Sequence, residues 1–415
     1  MKKIITLILS ALILLPIMNN LMAQEKSDVE INFHGFVKTD VIFDTRQNLA
    51  IREGHFFLLP LNEDLDDNGD DINATPNFNI LNVQTRANVS ISVPDVLGAK
   101  ATGYIEGAFF GSAEGNINTF RLRHAFGKLD WGSTVLLVGQ YWHPMFITEC
   151  YPDVVSFNTG APFQPFSRNP QIRLQQYIGD LRLELTAASQ RDFASVGPDG
   201  GSSIYLRNAV VPDMNFGMQY KFGNNLVGAA AEYKMLMPSM EFTYMVDEVA
   251  TTLKTEEKVS SYAVMGYAKF ATGNFQFKAE GIYGQNLTNM TMLGGYYQVQ
   301  SSEFEPTYSP GNLLSVWGEL IYGTNVQFGL FGGYSQNLGA DEEFVSRSYA
   351  RTPDIENLLR ISPRVVWNLD KFRFAFELDY TSAAYGTVDY NDHGLVKDAE
   401  QVSNIRALIA AYVFF

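Results

Sequence analysis

Residues 402–415 read Val402-Ser403-Asn404-Ile405-Arg406-Ala407-Leu408-Ile409-Ala410-Ala411-Tyr412-Val413-Phe414-Phe415. Successive side chains of an extended chain point to opposite faces. Ile405, Ala407, Ile409, Ala411, Val413 and Phe415 therefore share one face, and Asn404, Arg406, Leu408, Ala410 and Tyr412 the other. The same period of two runs through 359–369, where Leu359, Ile361, Pro363, Val365, Trp367 and Leu369 oppose Arg360, Ser362, Arg364, Val366 and Asn368. After Asp370-Lys371, Phe372, Phe374, Phe376, Leu378 and Tyr380 oppose Arg373, Ala375, Glu377 and Asp379. Near the start, Leu81, Val83, Thr85, Ala87, Val89 and Ile91 oppose Asn82, Gln84, Arg86, Asn88 and Ser90. An apolar face against a charged one, over about ten residues, is the pattern of a strand that crosses a membrane.

The composition agrees by exclusion. With 46% hydrophobic and 18% charged residues, the chain is not a disordered one. A net charge of −15 disfavours general nucleic-acid binding. The single cysteine, Cys150, rules out an intrachain disulfide and a Cys-based zinc site, and five scattered histidines do not form a metal motif. Lys2 and Lys3, the apolar run Ile4 to Met18 and Leu21-Met22-Ala23 before Gln24 read as a signal peptide over 1–23. Its removal takes the net charge from −15 to −17. Beyond it the longest apolar run is Ala407–Phe415, nine residues, where a membrane helix needs about 20.

Residues 24–415 therefore read as a single all-β domain, a transmembrane antiparallel barrel. Its strands are expected at 30–44, 78–93, 99–110, 119–129, 133–143, 169–178, 181–191, 213–222, 226–237, 259–270, 275–287, 313–322, 326–338, 357–369, 371–383 and 402–415, sixteen in all. The boundaries around 203–213 and 238–258 are soft and admit fourteen to eighteen. The links at 94–98, 130–132, 179–180, 223–225, 271–274, 323–325 and 370 are short; those at 45–77, 111–118, 144–168, 192–212, 238–258, 288–312, 339–356 and 384–401 are mostly long. Short periplasmic turns and long extracellular loops mark a barrel of the bacterial outer membrane. A secreted soluble sandwich would also alternate, but has no use for the aromatic ending Tyr412-Val413-Phe414-Phe415.

The inward faces carry fifteen bases: Lys38, Arg86, Lys100, Arg121, Arg123, Arg173, Arg182, Lys221, Lys234, Lys269, Lys278, Arg360, Arg364, Arg373 and Arg406. Against them stand nine acids: Asp40, Asp44, Glu106, Glu184, Glu232, Glu280, Glu319, Glu377 and Asp379. A basic lumen inside an acidic chain points to passage of anions, which rings of Arg favour. Arg86, Arg121, Arg123, Arg173, Arg360 and Arg364 are the candidate basic constriction, with Arg182 and Arg406 further along the wall. The competing reading is that arginines pair with lumen acids and brace the wall, as Arg373 would with Glu377.

Loop 144–168, with Tyr151, Pro152, Phe157, Pro162, Phe163, Pro165 and Phe166, is too apolar for an exposed loop and is expected to fold into the barrel and narrow it. In the first long loop Asp64, Asp66, Asn68 and Asp70 have the spacing of the opening half of a calcium loop, although Thr75 stands where that loop has Glu. Ca²⁺ is the one ion so indicated, and an acidic solvated loop is the plainer reading. No other cofactor is indicated.

Three stretches then resemble the DcaP-like family of trimeric outer-membrane porins. They are Gly35-Phe36-Val37-Lys38-Thr39-Asp40, Arg121-Leu122-Arg123-His124-Ala125-Phe126-Gly127-Lys128-Leu129, and Leu137-Val138-Gly139-Gln140-Tyr141-Trp142-His143-Pro144-Met145-Phe146 continuing into Val155-Ser156-Phe157-Asn158-Thr159-Gly160-Ala161-Pro162-Phe163. The resemblance is clearest over 33–180. It implies a homotrimer of sixteen-stranded barrels among lipid and lipopolysaccharide, taking up small anionic solutes such as dicarboxylates. The helical N-terminal extension of some members has no counterpart between Gln24 and the first strand. His124, with Lys128 on the outward face, would then be a subunit contact. An adhesin barrel is the alternative, and an outer-membrane hydrolase built on a Ser/His pair a weaker one, since no serine is forced close to His124. Energised uptake through a plugged barrel is disfavoured, because no plug-sized segment precedes the first strand.

Overall fold

The computed structural model describes residues 29–111, 113–300 and 304–415; the leader read at 1–23 lies outside the described residues. The alternating segments form sixteen strands. They are β1 (Glu30–Asp44), β2 (Asn77–Leu81 and Arg86–Val96), β3 (Ala99–Ala108), β4 (Arg121–Asp130), β5 (Thr134–Trp142), β6 (Arg168–Ile178), β7 (Leu181–Ala188) and β8 (Asp213–Phe222). The second half comprises β9 (Asn225–Leu236), β10 (Val259–Thr272), β11 (Phe275–Gln285), β12 (Tyr308–Gly323), β13 (Val326–Ala340), β14 (Ile355–Leu369), β15 (Phe372–Asp389) and β16 (Leu395–Phe414).

Each strand pairs antiparallel with the next. β1 closes the ring on β16, with Phe36 opposite Phe414 and Asp44 opposite Arg406. Closure leaves no sheet edge, the condition a sheet must meet in lipid. The seam is locked by Arg406, whose Nε and Nη2 donate to the two Asp44 carboxylate oxygens at 2.9 and 2.7 Å. On the short-link side Gly223 and Gly273, with φ of 61° and 55°, sit in two-residue hairpin turns. Those turns need left-handed backbone, which a side chain resists. Phe374 and Ile409, expected outside, join an apolar belt with Ile105, Val138, Ile172, Leu185, Phe216, Val264 and Phe328, all exposed, Ile409 at 53%.

Two register shifts alter the sequence reading. Strand β2 is broken at 82–85, where one extra residue stands against β1 between the pairs Asp40–Leu81 and Phe36–Arg86. The bulge reverses the phase, so Phe78 and Ile80 face out while Leu81 and Val83, expected outside, are buried. A second irregularity lies in β4, opposite Glu106 and Gly107. It turns both Arg123 and His124 inward, and His124 is 4% exposed. His124 is thus a lumen residue and not a subunit contact. A bulge puts two residues on one side where strict alternation allows one.

The two soft boundaries, 203–213 and 238–258, add no strand to the wall beyond β8 and β9. They hold a short helix, Ile204–Ala209, and a separate hairpin, Glu241–Val246 with Val249–Lys254.

Three loops fold into the barrel. The 143–167 loop does so as its composition requires, burying Met145, Phe146, Phe157, Phe163 and Phe166. The hairpin of Asn48–Ile51 with Phe56–Pro60 and the segment 287–293 join it. Together they pack on inward wall residues such as Leu226, Met265, Trp317, Phe331 and Leu408, so the waist of the barrel holds an apolar core.

Candidate functional site

The inserted loop carries backbone polar groups into a region without bulk water, and each needs a partner. Charged wall residues supply them. Glu377 on β15 accepts from the amides of Val155 (2.7 Å) and Ser156 (2.9 Å), and Glu319 on β12 from that of Asp153 (2.9 and 3.0 Å). Lys38 donates to the Val155 carbonyl at 2.9 Å, and Lys278 to that of Tyr151 at 2.8 Å. Arg360 donates to the carbonyls of Ala161 (2.8 Å) and Leu58 (2.7 Å) and to Thr381 Oγ1 (2.8 Å). Several inward charges therefore hold the loops.

This sorts the predicted pore arginines. Arg360 and Arg406 are fully buried, one behind the loops and one at the seam, and neither faces open space. Arg121 pairs with Asp192, to which Arg168 also donates through Nε (2.8 Å) and Nη2 (2.5 Å). Burial alone would raise the Asp192 carboxyl, but Arg168 and Arg121 hold it below the usual carboxylate range. Arg173 lies 3.4 Å from Glu184, and Arg182 3.0 Å from Glu149. Both line a cavity of about 320 Å³.

Arg86, Arg123 and Arg364 do come together. With Arg373 they line a cavity of about 800 Å³, against two carboxylates, Glu106 and Asp153. Glu106 is shared: Arg123 Nε is 2.6 Å from it, Arg86 Nε 3.5 Å, and the Tyr104 hydroxyl donates at 3.0 Å. Arg364 is 2.8 Å from Glu319. Arg86 Nε and Arg123 Nη1 have no hydrogen-bond partner among the described residues, although both are buried. A third cavity of about 390 Å³ carries Lys221, Lys269 and Lys278 against Glu149 and Asp153. Thr148 lines all three cavities, so they adjoin beneath the loop, towards the short turns.

Two residues of this basic wall escape sequence reasoning. Arg168 precedes the regular alternation of β6, and Arg52 lies in the first loop, where its guanidinium stacks 4.6 Å from Phe110. The acid partner of Arg168, Asp192, is also in a loop, and Arg52 donates to the Gly111 carbonyl, so nothing in local spacing finds either. His124 packs on Tyr141 and Trp142, with ring centres 5.4 Å away, and its Nε2 lies 3.9 Å from Glu106. Among the described residues it makes no hydrogen bond to a serine.

The acidic stretch of the first loop is a hydrogen-bonded turn. Asp66 Oδ1 accepts from the amides of Asn68 (2.8 Å) and Asp70 (2.9 Å), and Asp64 gives its amide to Asp71. Among the described residues Asp64, Asp66 and Asp70 do not converge on a common point as metal ligands do.

No protein-family model and no curated protein matches the chain. Solved structures do. The outer membrane channel DcaP of Acinetobacter baumannii superposes with a TM-score of 0.69 at 15% identity, over 94% of this chain and 99% of that one. The fold is that of an outer-membrane porin. The trimer form of OmpT, an outer membrane protein of Vibrio cholerae, gives 0.55 at 12% identity over 93% and 99% of the two chains. An anion-selective porin from Comamonas acidovorans gives 0.53 at 11% identity over 94% and 100%. Likeness at these identities speaks for the porin fold, and the apolar belt around that fold puts the barrel in the bacterial outer membrane.

Proposed function

We propose that this porin-fold barrel is a passive diffusion channel that passes small anions in preference to cations, organic dicarboxylates among them, and that it works as a homotrimer with lipid and lipopolysaccharide around its belt. The observation that carries the reading is the lumen cavity of about 800 Å³, where four arginines face two carboxylates. Guanidinium groups with unspent N–H donors suit a carboxylate, which they grip through two parallel bonds. Because the site is also supplied with Glu106, an anion is held briefly and released, as conduction requires. The anion-selective porin among the similar structures and the dicarboxylate preference implied by the resemblance point the same way.

The test is the zero-current potential across a salt gradient in a planar bilayer. Wild-type protein is expected to be anion-selective, and Arg86→Ala with Arg123→Ala to move the potential towards cation preference. Arg406→Ala, at the seam, leaves it unchanged. Cation selectivity of the wild type, or no conductance at all, would overturn the proposal.

A further inference from the structure

Apart from the arginine cavity, the barrel gathers three metal-ligating side chains of different kinds. His143 follows β5 at the root of the constricting loop, Asp213 opens β8, and Glu232 lies on β9. One ligand atom of each lies within 4.8 Å of the others, and all three residues are buried. We propose that His143, Asp213 and Glu232 bind a divalent transition-metal ion of the zinc type, tying the root of the loop to the wall.

The polar groups there are unspent. His143 Nε2, Asp213 Oδ1 and both carboxylate oxygens of Glu232 have no hydrogen-bond partner among the described residues. Buried polar atoms are seldom left so, and a bound ion or water is the usual resolution. Charge chooses between those two. Lys234 Nζ is 3.9 Å from Glu232, and it donates to Asn286 O (2.7 Å) and Asn289 Oδ1 (2.6 Å). One lysine balances one carboxylate; the second, Asp213, has only Gln190 Nε2 on its Oδ2 at 3.3 Å. Where a single proton would neutralise it, a cation does so and also satisfies the bare ligand atoms of His143 and Glu232.

The donor set then selects the ion. An imidazole nitrogen with two carboxylate oxygens suits zinc and its neighbours, whereas calcium and magnesium take oxygen ligands throughout. Three protein ligands leave a fourth position. Asn215 stands directly opposite Glu232, and its Oδ1 is likewise without a partner. Loading has one cost. With Nε2 on the metal the ring proton sits on Nδ1, which then no longer accepts from the Met145 amide at 3.2 Å.

The test uses full-length protein extracted from outer membranes in detergent, incubated with ZnCl₂ and freed of excess metal by gel filtration. Folding is checked by the heat-modifiable mobility of a closed barrel. One zinc per folded chain is expected by atomic emission. Asp213→Asn and Glu232→Gln, both near-isosteric, are expected to weaken binding by about tenfold or more, since even outer-shell changes cost that much. Asp66→Asn, in the acidic loop, retains the wild-type stoichiometry. With CoCl₂ as the probe, a visible ligand-field band is expected in the wild type and is lost in His143→Gln. A folded wild type that keeps no zinc, or an Asp213→Asn protein that keeps it as tightly, overturns the proposal. The result is independent of ion selectivity.

Discussion

Glu377→Ala removes the acceptor of the Val155 and Ser156 amides from a buried position. Each amide left unsatisfied costs about 1–3 kcal/mol, so the inserted loop loses roughly 2–6 kcal/mol of its hold. Burial of Phe146, Val155, Phe157, Phe163 and Phe166 is worth about 1.5–3 kcal/mol apiece, roughly 8–15 kcal/mol together. The loop therefore stays in, but its released fraction rises, tenfold for every ~1.4 kcal/mol, by about 30-fold to 10⁴-fold. Cys150 reports that release. It is the sole cysteine, lies in the loop and is buried, with its thiol pushed up to about 12 by burial. Alkylation by a maleimide near neutral pH must then run through the released loop, where the thiol regains its ordinary acidity. The expected result is labelling faster by one and a half orders of magnitude or more in Glu377→Ala, with unchanged heat-modifiable mobility. Glu377→Gln, which keeps one acceptor oxygen, should fall between. If Cys150 reacts at the wild-type rate in the alanine variant, the wall carboxylate does not hold the loop and the reasoning fails.

Other outcomes follow from the same geometry. Arg406→Ala strands the Asp44 carboxylate at the seam, a change that costs about 3–5 kcal/mol when a buried pair is broken; the temperature of gel-mobility conversion should drop while the zero-current potential holds. His55, in the first loop, is held well below its ordinary value by burial and then by Lys38, Arg52 and Arg406. It stays neutral in the fold and takes a proton when unfolded, so stability falls as pH drops below about 6.5. His55→Gln removes that part of the acid loss, and equal losses between pH 7 and pH 5 in both proteins would contradict it. Arg123→Ala and Arg360→Ala should separate as well, the first shifting ion selectivity and the second speeding Cys150 labelling.

Much of this protein lies in its alternation. Strand count, closure, the outward aromatics and the inward turn of the 143–167 loop all follow from where apolar side chains recur, because lipid admits only a closed barrel and water disfavours an exposed aromatic loop. The inward residues Leu408 and Ala410 belong to the core that fills the waist, which a reading of the lumen by its charges alone leaves out. The surplus of inward bases is itself visible in one dimension. Which of them face open space is not.

That second question was decided by tertiary structure. Single inserted residues at 82–85 and at 123–124 reversed the local phase, burying Leu81 and Val83 and bringing His124 into the lumen. Bulges leave the composition of a strand unchanged and alter only its pairing. Loops then claimed several of the predicted charges: Arg360, Lys38 and Glu377 hold backbone, and Asp192 draws the predicted Arg121 and the unpredicted Arg168 together from separate strands. Such partners are set by three-dimensional contact between segments with no fixed spacing along the chain. A period-two pattern therefore names the side of the wall a residue faces, while the partner it meets there depends on which loop folds in over it.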